Sequence, residues 1–270
     1  MPGSFSLRLA VGWTVLVTAG MWFGLEAVFA AFPRAGREIV ILGATQVLVY
    51  ALVLVAFCHA QDRPFGEVLG LRRASLGVCL GAAALGVALQ IPATLLSDAV
   101  EHFFPTPAAV LSERLARITP HSAWHGLAVA LVVAGLGPCV EELFFRCALF
   151  GALRRDRGKF VTIWSVSLCF VFAHLDLRLL LPLLVAALSL GQVREQSGSV
   201  WPGVALHAAF NAVTLGLVFS GHAAQGKPPP MPVLVAILGC VVTALLLGLV
   251  RSLALSSRVA QNARYGDQRS

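Results

Sequence analysis

Apolar segments of about 20 residues recur along almost the whole chain, and that feature restricts the fold more than any other. Such a segment matches the hydrocarbon thickness of a bilayer. Inside a bilayer every backbone N–H and C=O must find its partner within the chain, a demand that helices meet segment by segment. We read spans at 9–31, 39–60, 76–97, 124–145, 160–176, 178–193, 199–220 and 231–250. The expectation is an all-α, polytopic transmembrane helix bundle of about eight helices. Charged residues make up 12% of the chain, well below the roughly 25% of soluble domains, so no sizeable soluble domain fits beside the spans. One transmembrane domain over 1–255 and a polar tail over 256–270, expected to be disordered, account for the chain.

The formal charge of +7 resides in short loops rather than on one face, which argues against a nucleic-acid partner and makes the lipid bilayer the natural one. With the amino terminus in the cytoplasm, 13 of the 20 basic residues fall inside, among them Arg8, Arg63, Arg154, Arg155, Arg194 and Arg258. Arg34, Arg37, Arg114, Arg117, Arg178 and Lys227 fall outside. That asymmetry follows the positive-inside bias and places both termini in the cytoplasm. The apolar run from Arg8 to Ala31 is longer than a signal-peptide core, so it is expected to remain as the first helix. Pro33 to Glu38, Asp98 to His121 and Gly221 to Pro230 read as loops, and Phe65 to Arg73 as an interfacial segment or a loop. The six cysteines have no CxxC spacing and read as free thiols.

Ionisable groups in mid-membrane are costly and mark functional sites. Three groups stand out: Glu141-Glu142-Leu-Phe-Phe-Arg146, Phe170-Val-Phe-Ala-His174 and His207-Ala-Ala-Phe-Asn211. On a helix Glu142 and Arg146 share a face while Glu141 points about 100° away, so one carboxylate can be paired and its neighbour left for chemistry. His207 and Asn211 also share a face. Glu141 lies 13 residues from Arg154, His174 lies 15 from Lys159 and His207 lies 13 from Arg194. Each therefore sits roughly 20 Å from a cytoplasmic basic residue, and the three groups can converge at one depth.

Amide hydrolysis needs a base for water, donors for the oxyanion and exclusion of bulk solvent. Glu141 suits the base, His174 can orient the same water, and His207 and Asn211 can donate to the oxyanion. Alternatively Glu142, His174 and His207 could ligate zinc, since two imidazoles, a carboxylate and a water form a catalytic zinc set. A non-enzymatic reading, an ion-coupled carrier or a bacteriocin immunity factor, would use the same polar cluster for ions or binding. No broken-helix symmetry of the carrier kind is visible. His121 and His125 are read as interfacial anchors beside Trp124, Glu26 as an interface residue, and Trp164 and Trp201 as part of an aromatic belt.

Glu-Glu-x-x-x-Arg, Phe-x-x-x-His and His-x-x-x-Asn, in this order over about residues 120–220, resemble the CPBP family of intramembrane proteases, which includes the type II CAAX prenyl endopeptidases. The resemblance implies an eight-helix bundle with a membrane-facing cavity. It implies Glu141 and His174 as the water-activating residues, His207 and Asn211 as oxyanion partners, and Glu142 and Arg146 as organisers of the site. A membrane-anchored protein or peptide would be the substrate, and the bacterial inner (cell) membrane the setting. Members of the family are described both as glutamate-dependent and as metalloproteases. We favour the glutamic mechanism without a cofactor, with zinc as the variant.

Overall fold

In a computed structural model of the protein, which describes residues 5–31, 39–61, 65–221 and 231–267, all regular elements among those residues are helical. In chain order they are α1 (Leu7–Ala31), α2 (Ile39–Ala60), the short α3 (Phe65–Leu69), α4 (Leu76–Ala88), α5 (Gln90–Phe103) and α6 (Ala108–Ile118). Next comes one continuous rod built from α7 (Ala123–Leu131), α8 (Gly137–Glu142) and α9 (Phe150–Asp156), joined by π-helical turns at Val132–Leu136 and Leu143–Leu149. The remaining elements are α10 (Lys159–Ala173), a 3-10 turn (Leu177–Leu179), α11 (Leu180–Ser197), α12 (Trp201–Phe219) and α13 (Val233–Asp267).

Among the described residues seven helical stretches are long and apolar enough to cross a membrane. The eighth apolar helix, α10, has 15 residues and is about 22 Å long, short of a hydrocarbon layer about 30 Å thick. The chain is therefore an all-α polytopic bundle.

Boundaries differ from expectation where polar residues were helical all along. The segment from Asp98 to His121, read as a loop, supplies the last turns of α5 and all of α6, a helix with no buried residue that carries an i,i+4 pair between Glu113 and Arg117 at 2.6 Å. A search for apolar spans passes over such an amphipathic helix. Phe65 to Arg73 forms neither a plain loop nor a surface helix alone, since Val68 and Leu69 on α3 are buried in the bundle. The backbone of α13 continues helically past Ser256, where a disordered tail was expected, to Asp267. The loop readings at Pro33 to Glu38 and after Gly221, with Asp62, Arg63 and Lys227, lie outside the described residues.

Among the described residues three apolar clusters hold the helices together, the smallest made of Ile39, Val129, Val132 and Leu215; the other two are larger. One gathers Phe57, Phe144, Phe145, Leu149 and Phe170 from α2, the π turn before α9 and α10. The other joins Val78, Leu85, Leu190, Leu206 and Val250 from α4, α11, α12 and α13. Large apolar side chains such as Trp22, Phe23, Leu52, Leu76 and Leu245 face outward, as lipid-facing residues do. With lipid as the alternative surrounding, the gain from joining helices is close packing rather than escape from water. The contact between α4 and α12 shows this: a Cβ at Gly86 would come within 2.2 Å of Leu206 O, so only glycine lets these backbones approach so far.

Both described chain ends lie at the same end of the bundle. Phe5 N–H donates to Asp156 Oδ2 at the end of α9 (2.6 Å), and Arg258 Nη2 on α13 donates to Glu195 O near the end of α11 (2.9 Å). Arg154, Arg155 and Arg194 are at that end too. At the opposite end Arg114 of α6 pairs with Asp176, and Arg178 Nε donates to Phe104 O.

Candidate active site

The rod α7–α8–α9 is built around a proline. Pro138 has no N–H, and its ring crowds the carbonyl of the preceding turn, so a regular α-helix fails there. The chain widens instead: Gly137 N–H donates to Val132 O, five residues back. The next N–H in that register would belong to residue 138, which has none, and Val133 O is left without a helical partner. Asn211 on α12 supplies it, its Nδ2 donating to Val133 O at 2.8 Å. The glutamates follow at once, on the last turn of α8, between two π-helical turns. Such turns recur at functional sites because they re-aim side chains.

Glu142 and Arg146 are fully buried, with Arg146 Nη1 3.1 Å from Glu142 Oε1. His207 Nδ1 lies 3.1 Å from the same oxygen. A carboxylate held by a guanidinium accepts, so this ring nitrogen donates. Arg146 also donates from Nη2 to Ala187 O at 3.4 Å and lies 4.4 Å from the centre of the Phe170 ring. Among the described residues Glu142 Oε2 has no hydrogen-bonding partner, and it faces Gly203, where a Cβ would stand 3.1 Å away. Glycine at 203 thus gives that oxygen its space.

Glu141 points elsewhere, as the helical angle requires. Its Oε1 accepts from Gln46 Nε2 at 2.7 Å, and its Oε2 is 3.9 Å from His207 Nε2, outside hydrogen-bonding range. His207 therefore stands between the two glutamates, with one ring nitrogen directed to each. A doubly protonated ring would present an N–H on the Glu141 side as well.

His174 departs from its expected place. The span read as 160–176 ends at Ala173, and His174 caps α10 as an exposed residue rather than lying within a transmembrane helix. Leu175 ends the helix with φ of +53°, a left-handed conformation that a branched side chain adopts at a cost of about 1 kcal/mol or more. His174 Nδ1 donates to Phe170 O at 2.8 Å. A carbonyl only accepts, so Nδ1 carries the proton and Nε2 of the neutral ring keeps its lone pair. Phe170 is the hub of the site: its ring centre is 4.8 Å from that of His174 and 5.7 Å from that of His207, with the Arg146 guanidinium nearby.

A cavity of about 90 Å³ is lined by Glu141, His174, His207 and Asn211, with Phe170 and Leu206 among its apolar walls. At roughly 30 Å³ per molecule it has room for a few waters. All four side chains expected to act on water or on the oxyanion thus share one small chamber, and Glu142 and Arg146 lie behind it. Gln46 was missed. Its signal was present, since it is the lone amide in the apolar stretch of α2.

The zinc alternative can be tested on the donors. Among the described residues no three His, Cys, Asp or Glu side chains are grouped to hold a metal ion. Glu142 Oε1 already faces both Arg146 and His207, so a cation there would sit against a guanidinium. As arranged, Glu142, His174 and His207 do not fit a zinc site.

Residues 123–213, about a third of the chain, match the family model described as Type II CAAX prenyl endopeptidase Rce1-like. The match is close to the stretch 120–220 that carried the resemblance and contains Glu141, Glu142, Arg146, His174, His207 and Asn211, while Gln46 lies outside it. The stretch is similar to the domain that this protease-family model describes, on a chain with the helices of a multi-pass membrane protein. No curated protein and no solved structure matches the chain.

Proposed function

We propose that the protein is an intramembrane endopeptidase of glutamic type, which cuts a peptide bond near the membrane anchor or carboxy terminus of a membrane-anchored protein. The observation that carries this reading is the small chamber lined jointly by Glu141, His174, His207 and Asn211. The basic end with Arg154 and Arg194 is the cytoplasmic one in this reading.

In the mechanism a water lies between Glu141 and His174 Nε2. Glu141, its Oε1 fixed by Gln46, takes a proton from the water as the oxygen attacks the scissile carbonyl. That proton passes to the leaving amine as the C–N bond breaks. In its doubly protonated form His207 donates from Nδ1 to Glu142 and offers its Nε2–H to the oxyanion, and the second N–H of the Asn211 amide offers another. Preorganised donors in a chamber with room for only a few waters stabilise the developing charge far more than they would in bulk water. No step passes through a metal.

The test compares wild type and Glu141→Gln in a host lacking homologues, with carboxy-terminal processing of membrane-anchored proteins followed by mass spectrometry. Defined cuts with wild type alone support the reading, and the cut site names the substrate class. Unchanged biological activity of a folded Glu141→Gln protein would instead favour a binding or ion-coupled role. Full activity after exhaustive chelation is expected, and its loss with recovery on adding zinc would replace the glutamic mechanism.

A further inference from the structure

The cytoplasm-directed end of the bundle holds a second cavity, remote in chemistry from the first. It measures about 320 Å³ and is lined by Arg154 and Arg155 of α9, Arg194 and Glu195 of α11, and Arg258 of α13, together with Phe150, Gly151 and Gly198. Four guanidinium groups face one carboxylate there. Glu195 is already occupied: its two oxygens accept from Arg154 Nε and Nη2 at 2.9 and 3.0 Å, and its main-chain carbonyl accepts from Arg258 Nη2. Arg194 uses only Nε, which donates to Arg146 O at 2.8 Å. Among the described residues no protein group pairs with either of its terminal nitrogens. Like charges gathered this closely repel unless an anion joins them.

The backbone makes room for the arrangement. Gly198 ends α11 at φ +68°, and a Cβ there would come within 2.7 Å of Arg258 Nη2, so glycine both permits the turn and admits the guanidinium. The planar forks of arginine suit phosphate oxygens, which they can bind in pairs. Next to Arg258 on α13, Leu255 and Val259 are exposed and apolar, a surface on which acyl chains can lie while a head group occupies the cavity.

We propose that this cavity is a binding site for a phosphate-class anion, the phosphodiester head group of an anionic phospholipid, held by Arg154, Arg194 and Arg258. The bond from Arg194 Nε to Arg146 O links the site to the helical turn that carries the buried ion pair, so an occupant steadies that turn.

The test uses the full chain in phosphatidylcholine nanodiscs doped with phosphatidylglycerol, and native mass spectrometry of the lipids that remain bound. Wild type is expected to retain phosphatidylglycerol, with affinity about fivefold weaker in Arg258→Gln. Arg258→Lys should recover part of the loss, and Arg8→Gln, outside the cavity, should match wild type. A parallel arm titrates inorganic phosphate against chloride at equal ionic strength in pure phosphatidylcholine and reads the melting temperature. A rise with phosphate that Arg258→Gln abolishes, without lipid retention, assigns the same site to soluble phosphate. Equal retention by wild type and by an Arg258→Gln protein of unchanged melting temperature, with no phosphate effect, overturns the proposal, as does equal retention of phosphatidylcholine.

Discussion

Asn211 Nδ2 donates to Val133 O across 2.8 Å, to the carbonyl that Pro138 leaves without a partner in its own helix. The same device occurs elsewhere in the bundle. Pro92 in α5 deprives Ala88 O of its usual donor, and Thr243 Oγ1 on α13 reaches that oxygen at 3.1 Å, in competition with Gly239 O of its own helix at 2.8 Å. A carbonyl orphaned within a membrane has no water to turn to, so a neighbouring helix must provide the donor. Each proline thereby becomes a point of attachment between helices, and at Pro138 the attachment forms one wall of the chamber.

From this relation the cost of losing the Asn211 amide can be given. Asn211→Leu should destabilise the protein by about 1–3 kcal/mol, the usual cost of a buried polar group left unpaired. In a Pro138→Ala background residue 138 regains an N–H, the helix can serve Val133 O itself, and the cost should fall close to zero. Unfolding in detergent of the four proteins of this cycle measures both values. Equal costs in the two backgrounds would show that Asn211 does not serve that carbonyl.

Gln46 has a different role, since it holds Glu141 without lining the chamber. Gln46→Leu should lower the cleavage rate roughly 10- to 100-fold, the scale on which small misplacements of a reacting group act. Substrate binding and melting temperature should change little. The reading is a split between kcat and KM on the substrate identified by processing. A purely structural role would instead lower the melting temperature and leave the rate per folded molecule intact.

The ion pair behind the chamber makes a third case. Arg146→Met strands Glu142 with His207 alone, and breaking a buried pair from one side costs about 3–5 kcal/mol. Glu142→Leu combined with Arg146→Met removes both charges and should recover most of that stability, although the site loses its organisation and activity stays absent. Thermal unfolding of the single and double variants, with circular dichroism to establish folding, checks the expected order. A double variant less stable than Arg146→Met would mean that the pair contributes net stability beyond its own desolvation.

How much of this was legible depends on which property each residue expresses. Apolar length disclosed the spans, and i,i+4 spacing disclosed the pairing of Glu142 with Arg146 and the shared face of His207 and Asn211, because helical periodicity is local. The end of α10 was misplaced because Leu175 takes a left-handed conformation that glycine or asparagine normally signals, so the sequence holds no stop sign there. Gln46 was overlooked because its partner lies 95 positions away, and a lone amide in an apolar run becomes informative only once α2 is known to pack on α8. Helix α6 went unread for the opposite reason, its polar surface resembling a loop to a search for membrane spans.

Glycines at close approaches give the last prediction, since their effect depends on what a methyl group would meet. At Gly203 the added Cβ would face Glu142 Oε2 at 3.1 Å, the end of a side chain that Arg146 and His207 hold in place. Gly203→Ala should cost about 1–3 kcal/mol, the range for overpacking a tight interior, and should displace the carboxylate that orients His207. At Gly86 the obstacle is main chain, Leu206 O at 2.2 Å, and nothing short of moving α12 relieves it. Gly86→Ala should therefore be the more damaging of the two, and because Leu206 precedes His207 it should also move the imidazole. At Gly77, where a Cβ meets nothing within 4 Å, alanine should be neutral or slightly stabilising, since it favours the helix by up to about 1 kcal/mol. Melting temperatures of the three alanine variants should rank Gly86→Ala lowest, then Gly203→Ala, then Gly77→Ala. If Gly86→Ala melts like wild type, the close α4–α12 contact does not hold as described.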